Sequence, residues 1–153
     1  MFRNVLLRLF IVLLSLGGLA DALYFTLAYY GRIRKARWVP AIFCAREGSS
    51  CVTVVRTPYA RVLGVPNSLL GILYYLLLLA WSGFIPRYVN IGGHIFRPFD
   101  TLGLWLLGAS LCTVALGFYL IYALRRVLHI DCPLCYAAHA INLALLVLLV
   151  LAS

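Results

Sequence analysis

The sequence predicts an all-α membrane protein: a four-transmembrane-helix bundle with a long cysteine-bearing loop capping one end. Three observations carry that prediction. The 153 residues are 65% hydrophobic, with a mean hydropathy of +1.02 and only 11% charged residues, where a soluble domain keeps roughly a quarter. The apolar residues fall into four runs, each near the ~20 residues that cross ~30 Å of hydrocarbon. One long polar segment separates the first run from the second and holds Cys44 and Cys51, two of the five cysteines. The net charge of +9 does not point to nucleic acid, because the arginines flank apolar runs instead of lining one polar face. That is the pattern of interfacial anchors that set orientation in a bilayer.

The first span covers about residues 5–30. Arg3, Arg8, an apolar core and Ala20-Asp21-Ala22 resemble a signal peptide. Apolar sequence nevertheless continues through residues 23–27, and Arg32, Arg34, Lys35 and Arg37 close the run, so a retained helix is expected. Residues 31–66 form the capping loop, with Trp38 at headgroup depth and a turn at Glu47–Ser50 between its two cysteines. A loop of this length is functional or disordered, and its aromatic, aliphatic and cysteine content predicts function. Pro66 introduces the second span, about 67–84, and Ser82-Gly83 with Pro86 ends it. A connector with Arg87, His94, Arg97 and Asp100 leads to the third span, about 101–124, which Arg125 and Arg126 terminate. The fourth span covers about 131–151. A single domain, 1–153, is expected, with no second soluble domain.

The stretch Asp131-Cys132-Pro133-Leu134-Cys135 opens the fourth span. Two cysteines separated by two residues form a redox pair at a helix start, where unpaired N–H groups and partial positive charge favour a thiolate. Asp131 reads as the N-cap and Pro133 as a first-turn residue. A reactive dithiol is therefore placed at a membrane surface, where electrons pass from a water-soluble protein to a lipid-soluble acceptor. An even number of spans separates the two cysteine pairs, so Cys44, Cys51, Cys132 and Cys135 share one side. The expected relay starts with a partner's dithiol reducing a Cys44–Cys51 disulfide. A freed loop thiolate then attacks a Cys132–Cys135 disulfide by thiol–disulfide exchange, and the reduced pair passes two electrons to a quinone in the bilayer.

Two other readings stay open at this point. Four thiolates on one side form a zinc site in a membrane-embedded structural or regulatory protein, although six residues separate Cys44 from Cys51. A haem-binding bundle would use His94, His129 and His139, with His94 expected on the opposite face and no c-type attachment motif present. Cys112, alone in the third span, reads as small core packing.

Three segments together resemble the vitamin K epoxide reductase family: Cys51-Val-Thr-Val-Val-Arg-Thr57-Pro-Tyr-Ala, Leu63-Gly-Val-Pro-Asn-Ser-Leu-Leu-Gly71 and Cys132-Pro-Leu-Cys135. The resemblance runs from Gly18 through the fourth helix. It implies a single-domain microbial, quinone-linked, disulfide-generating enzyme with a menaquinone- or ubiquinone-like acceptor. It also implies that Cys44 and Cys51 are the shuttle pair taking electrons from a thioredoxin-like protein, that Cys51 exchanges with Cys132, and that Cys135 faces the quinone. Thr57 stands where the family usually has a serine. Asn67 matches an asparagine that bonds a quinone carbonyl in animal members, and His139 falls where those members line the pocket with a tyrosine. Many bacterial members carry a fused thioredoxin-like domain after a fifth helix. This chain has neither, so its dithiol partner is expected to be a separate protein. Asp21, an ionisable residue inside the first span, is a functional candidate by its cost alone. It is read as part of a proton path to the quinone, as a neutral carboxyl bonded within the bundle, or as a residue nearer the interface.

The charges argue for an orientation opposite to the family's habit. The side with the termini and the 85–100 connector holds Arg3, Arg8, Arg87 and Arg97, four in all, whereas the cysteine side holds nine Lys and Arg. By the positive-inside rule the cysteine face is cytoplasmic, although Arg3 and Arg8 beside the first span argue the other way. Cytoplasmic disulfide formation suits a hyperthermophile, whose intracellular proteins can be disulfide-rich. A single lysine, Lys35, among thirteen basic residues and the absence of glutamine are compatible with a thermophilic or GC-rich source.

Overall fold

The computed structural model describes residues 2–32, 50–62, 64–83, 89–91, 94–96 and 98–152, with side chains described for 6–32, 53–62, 64–83 and 101–152. Cys44 and Trp38 lie outside the described residues, and Cys51 is placed by its backbone alone. The first helix, α1, is Phe2–Tyr29. It ends on Gly31, whose φ of +66° is the left-handed conformation that glycine adopts at no steric cost. The Gly31 N–H bonds the Ala28 carbonyl at 3.1 Å and the Arg32 N–H bonds that of Leu27 at 2.9 Å, a Schellman closure that uses the last free carbonyls of the helix.

What the sequence reads as a capping loop contains a short helix, α2 (Ser50–Val55), a 3₁₀ turn (Pro58–Ala60) and a tight hairpin. In that hairpin β1 (Arg61–Val62) pairs antiparallel with β2 (Val65–Pro66) around Gly64, whose φ is +83°. The next helix, α3 (Asn67–Gly83), starts directly at Pro66, as expected. The connector after it also carries structure, a second hairpin of β3 (Val89–Ile91) and β4 (His94–Phe96) that pairs Asn90 with Ile95. The fold is therefore helical with two small antiparallel additions at the helix ends. The fourth helix, α4 (Pro98–Tyr122), runs into a π-helical turn, Ala123–Leu128. His129 closes that turn in the left-handed region at φ 52°, and its N–H bonds the Leu124 carbonyl. The last helix, α5, is Pro133–Ala152.

Among the described residues three helical segments are long and apolar enough to cross a bilayer: Leu6–Tyr29, Thr101–Leu128 and Pro133–Ala152. The expected second span, α3, has 17 residues, about 25 Å at 1.5 Å per residue. It falls short of the ~30 Å hydrocarbon core, so a crossing by α3 needs locally thinned lipid.

In the bundle α1 packs along α3 and α5, and α4 packs along α5. Ile11, Tyr75, Leu78, Leu106 and Leu145 meet in the core. Gly18 is obligatory there, because a Cβ at that position would overlap the Tyr75 ring; close approach at small residues is how membrane helices associate without a hydrophobic drive. The outer face of α4 is apolar and exposed, with Trp105 at 76% and Leu104 at 68%, as a lipid-facing surface requires. Cys112 is exposed and not packed into the core. The expectation of core packing for that cysteine is therefore corrected: α4 has apolar residues all around, so its sequence carries no stripe to tell inside from outside.

Candidate redox site and its cavity

Helix α5 begins at Pro133, and the residue before it does the capping. The Cys132 carbonyl accepts the Tyr136 N–H at 3.2 Å, and the Cys132 sulfur accepts the Cys135 N–H at 3.4 Å. Cys132 is thus the N-cap, in place of the expected Asp131, because Pro133 takes the first helical position and sets the cap one residue later. Asp131 instead accepts a hydrogen bond from the Tyr136 hydroxyl at 3.1 Å, and that hydroxyl accepts one from Arg125 Nε at 3.4 Å.

The Cys135 thiol donates to the Cys132 sulfur, with the two sulfurs 2.6 Å apart. A small side-chain rotation brings them to the ~2.04 Å of a disulfide bond. The donated hydrogen bond holds the Cys132 thiol below its ordinary pKa, outweighing burial, which acts the other way. Backbone N–H groups of the first turn add to this stabilisation.

The two sulfurs face different surroundings. Cys132 is fully buried against Phe25 of α1, Val54 of α2 and Leu134. Val54 follows Cys51 by three residues on α2, so the backbone of Cys51 stands one helical turn from the residue that covers Cys132. Cys135 lines a partly open cavity of about 270 Å³ walled by α1, α3, α4 and α5, with the first hairpin contributing to its lining. The walls are mainly aliphatic and aromatic, with Cys112 of α4 among the lining residues.

Asn67 and His139 line the same cavity. Asn67 Nδ2 donates to the Tyr59 carbonyl at 3.2 Å, and its Oδ1 is buried with no hydrogen-bond partner. His139 lies one turn beyond Cys135, with a buried Nδ1 that also has no partner. Its ring packs against α4 at Gly117, where a Cβ would come within 2.8 Å of Nδ1. Thr57 is not part of the cavity wall. Its hydroxyl donates to the Val54 carbonyl at 2.7 Å, which fixes the residue that covers Cys132. Asp21 lines the cavity too, and its Oδ1 is buried without a partner.

Two cavity residues escape a reading of the sequence. The Tyr75 hydroxyl donates to Asn142 Oδ1 at 2.7 Å, a buried bond between α3 and α5. A signal for it exists, since Cys135, His139 and Asn142 fall at i, i+4 and i+7, one face of a helix.

Residues 9–150 of the chain match the family model of the vitamin K epoxide reductase family. No curated protein matches the chain.

Proposed function

The chain belongs to the vitamin K epoxide reductase family, and on that premise we propose that it generates disulfides, passing electrons from a separate thioredoxin-like dithiol protein to a membrane quinone. The coarser description follows from the family and the apolar helices: a multi-pass membrane oxidoreductase with disulfide-related chemistry. One observation carries the finer reading. The Cys132–Cys135 pair presents one sulfur beneath α2, the helix that bears Cys51, and the other to an apolar cavity inside the bundle.

In this reading Cys44 and Cys51 receive electrons from the partner. The Cys51 thiolate attacks a Cys132–Cys135 disulfide at Cys132, and a further exchange with Cys44 leaves Cys132 and Cys135 reduced and the loop pair oxidised. The cavity suits a quinone: its walls are apolar, and the amide of Asn67, the carboxyl of Asp21 and the imidazole of His139 each keep a buried atom unpartnered there. Asn67 and His139 would hold the two ends of the ring by hydrogen bonds. Thr57 supports the covering residue Val54 and does not touch the ring. When bound, a quinone takes up two electrons and two protons, which matches what a dithiol releases on closing to a disulfide. Cys132 and Cys135 give up their thiol protons as the S–S bond forms.

Four spans and a cytoplasmic cysteine face complete the proposal. Arg56, Arg61, Arg125 and Arg126 are all exposed at the cysteine end, which is where the positive-inside rule places the cytoplasm. The test is dithiol oxidation by purified protein in lipid with added quinone. Single Ala variants of Cys44, Cys51, Cys132 or Cys135 are expected to lose turnover, with Cys112→Ala close to wild type. Activity that vanished on chelation and returned with zinc would overturn the relay.

A further inference from the structure

Asp21 has no role in the exchange between cysteines, yet it lines the same cavity as Cys135. Its Oδ1 is buried with no hydrogen-bond partner, and no lysine or arginine lines the cavity among the described residues. The groups that face it are Tyr24 on its own helix, Tyr75 on α3, Cys112 on α4, and Cys132, Cys135 and His139 at the start of α5. None of these is a fixed cation. A carboxylate left unpaired among apolar walls inside a membrane helix is costly, so the neutral acid is the favoured form. A neutral carboxyl carries one O–H donor, and with no partner for Oδ1 in the cavity wall that donor is free for whatever enters.

From this arrangement, and resting on the quinone reading above, we propose that Asp21 is the proton donor of the cavity. In its acid form it donates a hydrogen bond to an oxygen of the bound acceptor and releases its proton there as the electron pair leaves the dithiol. Closing Cys132 and Cys135 to a disulfide breaks two S–H bonds, forms one S–S bond and releases two electrons and two protons. One of those protons, from Cys135 on the cavity wall, restores the Asp21 acid. The second travels to the acceptor by a route that does not involve Asp21. The acceptor gains two electrons and two protons, and Asp21 ends as it began. His139, which lines the same cavity, is a positioning neighbour in this scheme.

The experiment uses full-length protein in lipid nanodiscs with menadione as the probe, comparing wild type, Asp21→Asn and Asp21→Glu. Three quantities are read: the infrared band of a protonated carboxyl in the absorption spectrum of the resting protein, the single-turnover rate of dithiol oxidation by menadione, and thiol exchange with dithiothreitol without menadione. In wild type a protonated carboxyl band is expected and in Asp21→Asn it is absent. Menadione-driven oxidation in Asp21→Asn should fall by about 10²-fold or more, the usual contribution of a placed acid, with thiol exchange within about threefold of wild type. Asp21→Glu should recover both the band and most of the rate. A carboxyl band that persists in Asp21→Asn, or a menadione rate within about threefold of wild type, overturns the proposal. So does an equal loss of thiol exchange, which marks a structural role. If Asp21→Asn does not fold, Asp21→Glu decides through a shifted carboxyl band, and an unshifted band overturns the assignment. If wild type exchanges thiols but never reduces menadione, the quinone reading fails, while the infrared band still reports whether Asp21 is protonated.

Discussion

The sulfur of Cys132 accepts both the backbone N–H and the thiol of Cys135, at 3.4 and 2.6 Å. The first cysteine of the pair thus caps the helix whose first turn contains the second. Both hydrogen bonds favour negative charge on Cys132, and both have the same donor residue.

A pH dependence follows from that relationship. The Cys135 thiol is the largest influence lowering the Cys132 pKa, with burial opposing it. A lowered pKa means that thiolate is already present at pH values where an ordinary thiol is protonated, and that it is lost as pH falls through the lowered value. Cys135→Ala removes the donor, so the Cys132 titration should move to higher pH. Ultraviolet thiolate absorbance against pH, in a background lacking Cys44, Cys51 and Cys112, reads this directly. An unchanged titration would show that the thiol donor is irrelevant.

The same substitution reports on the order of exchange. With Cys135 gone, a mixed disulfide between Cys51 and Cys132 cannot be resolved from the α5 side and should accumulate. Peptide mass spectrometry without reduction should find that cross-link. A cross-link of Cys44 to Cys132 alone would reverse the two loop cysteines.

Much of this arrangement is legible in the sequence, and the reasons differ by residue. Pro133 marks the start of α5 because a residue without an N–H suits the first helical position, and Pro66 ends β2 immediately before α3. The spacing of Cys135 and His139 puts both on one helix face. Other features are set by tertiary context. Nothing local distinguishes Asp131 from Cys132 as the cap until the start of α5 is known. The π-helical turn at Ala123–Leu128 follows an unbroken apolar run and has no Gly or Pro to announce it. The position of Cys112 depends on which face of a uniformly apolar helix meets α5. Cys44 lies outside the described residues, so its pairing rests on the sequence and the family.

Packing between α1 and α3 gives a graded stability prediction. A Cβ at Gly18 would overlap the Tyr75 ring, which is itself held by Asn142, whereas one at Gly71 would meet Ala22 at an ordinary 3.5 Å. Gly18→Ala should destabilise the protein by about 1–3 kcal/mol, the usual cost of overpacking, and Gly71→Ala should be nearly neutral. Thermal unfolding in detergent compares the two. Equal effects would mean that α1 and α3 are not in the contact described.

Orientation is testable in intact cells. Single-cysteine probes placed in the 46–50 turn and near the C-terminus can be labelled with a membrane-impermeant thiol reagent. A cytoplasmic cysteine face predicts a protected turn and a labelled C-terminus. Labelling of the turn from outside would restore the family's usual orientation.

The most direct test of the central claim is an electron count. Purified protein in nanodiscs is mixed anaerobically with a reduced thioredoxin-like dithiol and menadione, and disulfide formed and quinol formed are measured together. The account predicts equal amounts of the two over many turnovers, with neither produced when menadione is left out. Disulfide formation that continues without any quinone, or quinol formed without matching disulfide, would contradict it.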